Sequence, residues 1–275
     1  MTRPAPLCDP VSVLPVRPAA VWATTVLAAA GLSAAALAGC TTHSAAEQLR
    51  VQVLATLPHD TTMYTQGLEI QDGVLYEGSG LVGQSRVRAT ALSSAALLRE
   101  ATLPAPLFGE GLTVADDRLW QLTWTSGTAI ERDPATLAER RRVSYHGEGW
   151  GLCHDGDRLV MSDGSDRLTF RDPRTFDPVG QVLVRLDGEP VRQLNELECA
   201  DGVIWANVFQ DDRILRINRD TGAVTGVVDA STLLSAPPRS AADVLNGIAA
   251  IPGTQDFLVT GKNWPLLFRV RFVPS

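Results

Sequence analysis

The chain is almost without lysine. It carries 24 basic residues, and every one except Lys262 is arginine. On a solvated surface the two side chains interchange, but a compact, titratable ammonium differs from a planar, always-charged guanidinium. A coding bias toward arginine explains the excess and leaves open why one position resists it. The chain also lacks an excess of positive charge: 31 acidic residues set the net charge at −7, which excludes a nucleic-acid partner, since phosphate binding needs clustered cations. Histidine is scarce, and His43, His59, His146 and His154 show no HxH or HxxxH spacing, so no catalytic zinc is expected. Aromatic residues make up only 6%, yet they include six tryptophans, whose positions therefore carry weight. With 45% hydrophobic and 20% charged residues the composition is that of an ordinary globular protein with ample core material.

What is present begins with a leader. Arg3 and Arg17 precede the apolar run "AAVWATTVLAAAGLSAAALAGC", the charged and hydrophobic regions of a signal peptide. The run ends "LAGC", which resembles the lipobox of bacterial lipoproteins, where the cysteine is lipidated and becomes the first residue. The expected organisation is a leader over 1–39, a lipid anchor at Cys40 with a polar tether over 40–49, and one domain over 50–275. Export to the cell envelope, with membrane contact through Cys40 alone and a monomeric domain, goes with it. Cys8 leaves with the leader, and Cys153 and Cys199 remain either as a disulfide or as two buried thiols.

Five segments repeat one pattern: a Gly-Leu-like pair, a short apolar stretch, an Asp/Gly turn, then a strand. They are "QGLEIQDGVLYEGSG", "EGLTVADDRLWQLTW", "WGLCHDGDRLVMSDG", "NELECADGVIWANVF" and "NGIAAIPGTQDFLVTGK". Runs such as "VIWANVF", rich in β-branched and aromatic residues between turn signals, read as strands. Repeats of this length made of four short antiparallel strands are the signature of propeller blades. The fifth repeat stops one strand short, and "RVQVLATL", residues 50–57, stands unpartnered before the first. The expectation is an all-β, five-bladed β-propeller whose ring is closed by that N-terminal strand completing the last blade, which removes free sheet edges.

Equivalent positions of the first strands converge on the axis. The residues before the Gly-Leu-like pair are Gln66, Glu110, Trp150, Asn195 and Asn246, four of them polar. A convergent polar cluster with aromatic company is a candidate site. The second strands align Trp124, Phe209 and Lys262 near their ends, so the single lysine falls on the same rim, followed by Trp264. Glu196 and Glu198 alternate along one strand, so at most one is expected to face the axis.

The stretches "YTQGLE", "FGEGLT", "EGWGLC", "MSDGSD", "LNELE", "IWANV", "LNGIA" and "TGKNWP", in this order across residues 60–265, resemble glutaminyl-peptide cyclotransferases of the plant and bacterial β-propeller type. The resemblance implies conversion of N-terminal glutamine to pyroglutamate with loss of ammonia, without a catalytic metal or other cofactor, on peptides or proteins that begin with glutamine. A structural calcium in the central channel is compatible with it. It points to Glu110 as the essential carboxylate and to Asn195 and Lys262 as its catalytic partners. It assigns Gln66, Tyr64, Phe108, Trp124 and Trp150 to the substrate pocket, to which the rim registry adds Phe209 and Trp264. Many members have tryptophan where this chain has Phe209, which bears on pocket shape. Chemically, Glu110 would shuttle protons, Lys262 and Asn195 would stabilise the oxyanion, and the indoles would pack the glutamine methylenes. An ion pair between Glu110 and Lys262 would hold both charged. The competing readings are a non-catalytic envelope-tethered binding module and a metal-dependent propeller lactonase. The latter needs several axial carboxylate or amide ligands where this chain has Trp150 and Gln66.

Overall fold

The computed structural model describes residues 45–233 and 244–275, which belong to one unit spanning His43–Ser275. The leader over 1–39 and Cys40 lie outside the described residues. Among those residues every regular element is a strand. The chain starts with β1 (Glu47–Pro58). Four-stranded antiparallel sheets follow in sequence order: β2 (Thr65–Gln71), β3 (Val74–Ser79), β4 (Arg86–Ala91) and β5 (Leu97–Thr102) form the first. β6 (Gly109–Ala115), β7 (Arg118–Thr123), β8 (Thr128–Arg132) and β9 (Glu139–Ser144) form the second. β10 (Leu152–Asp155), β11 (Arg158–Ser162), β12 (Arg167–Arg171) and β13 (Pro178–Leu183) form the third.

After a small hairpin, β14 (Arg185–Leu186) with β15 (Glu189–Pro190), come β16 (Leu194–Ala200), β17 (Val203–Val208), β18 (Arg213–Asn218) and β19 (Val224–Asp229). The last strands are β20 (Leu245–Ala250), β21 (Asp256–Gly261) and β22 (Leu266–Pro274). Tight turns of two left-handed residues, Asp72-Gly73 and Asp201-Gly202, join the first two strands of two repeats, the backbone that hairpin twist favours.

β1 does more than supply a fourth strand. It runs antiparallel to β22 from Leu49 to Pro58, and its first residues, Glu47–Arg50, also pair parallel with Gly226–Asp229 of β19. The last two repeats thereby fuse into one eight-stranded sheet. The strand starts at Glu47 rather than at residue 50, which shortens the expected tether. The extra residues find backbone partners on β19, Leu49 is buried, and Glu47 meets Arg216 at 2.8 Å.

The first strands of the repeats touch in cyclic order: β2 against β6, β6 against β10, β10 against β16, β16 against β20, and β20 against β2. Each junction between neighbouring sheets encloses its own apolar cluster. Tyr76 and Val87 meet Leu112 and Leu119 at the first, and Leu68 and Leu75 meet Leu258 and Leu267 where the last sheet reaches the first. Backbone approach near the axis demands glycine: a Cβ on Gly111 would lie 2.6 Å from the Trp150 carbonyl oxygen, and one on Gly151 only 2.1 Å from that of Asn195. Cys153 of β10 and Cys199 of β16 form a disulfide with Cα atoms 5.4 Å apart, which ties the third sheet to the fourth. Among the described residues the fold is thus all-β and propeller-like.

Candidate active site

The same irregularity recurs in four first strands. Pairing registers slip by one residue between Thr65 and Gly67, Gly109 and Leu112, Leu194 and Leu197, and Leu245 and Ile248. The bulged residues include Gln66, Glu110, Asn195 and Asn246, the polar set singled out by the repeats. A bulge re-aims side chains out of the alternating pattern, here toward the axis. The residue just past each second strand is fixed by an equivalent backbone bond: Trp124 N–H donates to Phe108, Phe209 N–H to Gln193, and Lys262 N–H to Val244. This shared geometry brings the three rim positions to one end of the ring.

A cavity of about 180 Å³ opens there, lined by Tyr64, Gln66, Phe108, Glu110, Trp124, Trp150, Asn195, Phe209 and Lys262. Trp264 is not among them. Asn263 takes a left-handed conformation (φ 59°) and turns the chain back, so the Trp264 indole folds over Gly261 into the apolar cluster with Phe268. The assignment of Trp264 to the substrate pocket is therefore corrected to a core role. Of the rings that do line the cavity, Phe108 stands edge-on to both Tyr64 (6.2 Å) and Trp124 (5.6 Å), and Trp150 edge-on to Phe209 (5.7 Å). Trp124 is the exposed member, at 40%. The Trp150 indole lies against Gly164, whose φ of 78° and missing side chain leave room for it.

Among the described residues Glu110, 5% exposed, accepts one hydrogen bond, from Gln66 Nε2 at 3.1 Å. Burial pushes its carboxyl well above the usual range, opposed by the Lys262 charge and reinforced by that of Glu148. The Lys262 ammonium is buried and has no carboxylate within 4 Å among the described residues, so the expected Glu110–Lys262 ion pair is replaced by a longer-range attraction. The ammonium sits instead 4.9 Å from the Tyr64 ring centre and 5.2 Å from that of Phe209, on faces that attract a cation. Burial lowers its pKa to about 8, against the pull of Glu110. Asn195, 2% exposed, has an Oδ1 with no hydrogen-bond partner among the described residues, an acceptor left over at the cavity wall. The group thus offers one proton acceptor of raised affinity, one titratable cation and one unused amide oxygen around an aromatic slot.

Two further residues complete the setting: Glu148, which the repeats did not single out, and Asn246, which they did. Glu148 Oε2 accepts both the Trp124 indole N–H at 2.7 Å and the Trp150 indole N–H at 2.9 Å, which fixes two walls of the slot. Its position two residues before Trp150, in "GEGW", was the available signal. Asn246 donates to Gln66 Oε1 at 3.1 Å and to the Thr65 carbonyl at 2.9 Å, so Gln66 turns its NH₂ toward Glu110.

Further along the axis lies a separate set of acids. Glu196 stands where other repeats have the glycine, and its carboxylate accepts the backbone N–H groups of Leu68 (3.1 Å) and Ile248 (2.8 Å). Glu198 is also buried, and its carboxyl is raised by burial and by the charges of Glu69 and Glu196. The expectation that at most one of the two faces inward is corrected: residues two apart along a strand share a face, so both glutamates face their acidic neighbour Glu69. Among the described residues no three His, Cys, Asp or Glu side chains are arranged to hold a metal ion.

The comparisons with known proteins agree on one lineage. The glutamine cyclotransferase family model matches residues 24–272. A glutaminyl-peptide cyclotransferase of Arabidopsis thaliana is 38% identical over 226 residues, covering 80% of this chain and 71% of that protein. The crystal structure of Myxococcus xanthus glutaminyl cyclase superposes with a TM-score of 0.78 at 40% identity, covering 84% of this chain and 99% of that one. A match spanning the ring, the bulged strands and the rim together means that the chain is an enzyme of the glutamine cyclotransferase family.

Proposed function

We propose that this chain converts the N-terminal glutamine of peptides and proteins to pyroglutamate with release of ammonia, on a ring of five four-stranded blades closed by β1. The observation that carries the reading is a single buried carboxylate, Glu110, in a slot it shares with a cation, Lys262, that no carboxylate among the described residues neutralises at contact distance. Glu110 takes a proton from the substrate α-ammonium. The freed amine attacks the side-chain amide carbon, and the new C–N bond closes a five-membered lactam. Glu110 hands its proton to the amide nitrogen, the old C–N bond breaks, and the second proton shed by the ring nitrogen leaves with ammonia as ammonium. A carboxyl whose affinity burial has raised suits both halves of this exchange.

Lys262 faces the charge that develops on the carbonyl oxygen, and a fixed, buried cation is worth far more there than one in solution. Asn195 and Gln66 hold the amide and amine, and the indoles of Trp124 and Trp150 flank the methylenes, so that amine and carbonyl meet within one molecule. The chemistry is read as metal-independent because the slot's donors are one carboxylate, two amides and an ammonium.

The same proposal takes the chain as an exported, lipid-anchored monomer. The Cys153–Cys199 disulfide suits an oxidising compartment. Glu47 begins β1 at the end of the ring opposite the cavity, because β1 runs antiparallel to β22 and ends where Lys262 begins its turn. A tether joined there leaves the slot mouth clear. Metabolic labelling with a fatty-acid analogue, lost in Cys40→Ser, tests the anchor.

The test of the activity is ammonia release from a peptide beginning in glutamine, with the purified protein, with and without chelator. Release above the spontaneous background that survives chelator and vanishes in Glu110→Gln is the expected result. An intact glutamine peptide with wild-type protein would overturn the reading.

A further inference from the structure

The turn that carries Lys262 is held from outside by a segment the chemistry above does not use. His59 N–H donates to the Pro265 carbonyl at 2.9 Å, Asn263 N–H to the Met63 carbonyl at 2.8 Å, and Asn263 Nδ2 to the Thr61 carbonyl at 2.8 Å. Residues 59–63 thus clasp residues 263–265 through backbone and amide bonds. At the centre is the His59 ring, with its side chain only 7% exposed. Its Nδ1 is 2.7 Å from the Trp264 carbonyl oxygen and its Nε2 is 2.9 Å from Glu77 Oε1. The same Glu77 oxygen accepts the hydroxyl of Thr65, the residue before Gln66, at 2.6 Å. One carboxylate therefore touches the strand that presents Gln66 and, through His59, the turn that presents Lys262.

A carbonyl oxygen cannot donate, and a carboxylate only accepts, so a ring that satisfies both partners needs a proton on each nitrogen. We propose that His59 and Glu77 form a positioning couple, with His59 acting as an imidazolium, that locks the Lys262 turn to the Gln66 strand and so sets where the ammonium stands in the slot. The couple touches no substrate, and its bearing on turnover rests on the reaction proposed above. The groups that face the ring support it: Glu77 and Asp60 add negative charge, Thr260 Oγ1 lies 3.5 Å from Nδ1, and Asp60 is itself engaged by Arg88. Glu77 and the Trp264 carbonyl outweigh the cost of burial and raise the pKa of His59 above its ordinary 6.5. With the folded value above the unfolded one, the couple's contribution is complete at pH below 6.5 and fades as pH rises through the folded pKa.

Having one lysine makes the test clean. Full-length protein labelled with [ε-¹³C]lysine gives a single resonance, that of Lys262, and ring ¹⁵N shifts report the protonation of His59. The expected result is a His59 with both ring nitrogens protonated at pH 7 and a lysine signal titrating near 8 in the wild type. In Glu77→Gln, His59 loses its proton at lower pH, the lysine resonance shifts or splits, and kcat falls about tenfold with a smaller change in KM. His59→Gln, which can bond one partner but not both, gives the same lysine shift and serves if Glu77→Gln does not fold. A neutral His59 at pH 7 in the wild type, or an unchanged lysine resonance in a folded variant, overturns the couple. The spectra need no turnover, so a protein inert toward glutamine peptides that still shows the coupled shift would reject the reaction and keep the couple.

Discussion

Two buried glutamates near the axis differ by one position in the repeat. Glu110 precedes the glycine of its strand, and Glu196 takes the glycine's own place. Burial raises the pKa of both well above the ordinary carboxylate range. What separates them is how their oxygens are used. Glu196 receives two backbone N–H groups from two different strands, β2 and β20, and works as a strut across the ring. Glu110 receives one side-chain amide and no other hydrogen bond among the described residues, beside an open slot and a cation. Burial alone does not make a catalytic carboxylate. In the mechanism proposed above, spare hydrogen-bonding capacity directed at a space a substrate can enter is what marks Glu110 for that role.

The largest effect expected from breaking this contrast is in Glu110→Gln. The rate of ammonia release should fall about 10²–10⁴-fold, the span of a lost general acid–base group. Because the folded pKa of Glu110 lies above the unfolded one, burying its charge subtracts stability at neutral pH, so the variant should melt no lower than wild type. Lys262 comes next. Lys262→Ala should lose about 10²–10³-fold in kcat, as for one oxyanion donor, while Lys262→Arg keeps the charge and a part of the rate. The pH profile isolates its role. The proposed mechanism needs Glu110 ionised and Lys262 protonated, so activity should rise with pH through the raised pKa of Glu110 and fall through about 8. In Lys262→Arg the alkaline limb should move to higher pH, since a guanidinium does not titrate there. The substrate amine titrates identically in both proteins, so an unmoved limb would assign it to substrate instead.

Glu196→Gln should reverse the pattern. Its NH₂ would face a backbone N–H that now has no acceptor, at about 1–3 kcal/mol, a loss only partly offset by the relief of a buried charge. For a chain of this size that lowers the melting temperature by several degrees, at about 2–4 °C per kcal/mol. Rates measured well below the melt should stay within about twofold of wild type. A tenfold rate loss in the folded variant would mean that the strut and the slot are one functional unit.

Much of this contrast was legible in the sequence because the repeats carry phase. Once Gln66, Glu110, Asn195 and Asn246 are aligned, a ring puts them together whatever the details of each strand. The lone lysine could be placed by the same alignment, since a common backbone bond fixes Trp124, Phe209 and Lys262 alike. For Glu196 and Glu198 the period itself overturns the expectation of a single inward carboxylate: residues two apart along a strand share a face, so both turn inward. Phase fails where the backbone departs from its regular period. The left-handed Asn263 sends Trp264 away from a neighbour two residues earlier. Parallel pairing of Glu47–Arg50 with β19 depends on an edge about 180 residues later, which no local pattern encodes. Glu148 was missed for another reason: it lies between repeats, and only its two indole partners reveal it.

That omission yields the smallest and finest prediction. Glu148 affects the slot in two separable ways, through hydrogen bonds to Trp124 and Trp150 and through a negative charge that raises the pKa of Glu110. Glu148→Ala removes both. KM should rise about 3–10-fold, the worth of about 0.5–1.5 kcal/mol of hydrogen bonding that orients the indoles. The acid limb of the pH profile should also move to lower pH, because the ionised form of Glu110 loses a repelling neighbour. Glu148→Gln keeps a neutral acceptor for the indoles and removes the charge, so it should move the acid limb with little change in KM. If instead the two variants raise KM equally and leave the limb in place, Glu148 acts on the walls of the slot only as a charge seen by the substrate, and the shift of Glu110 comes from its own burial.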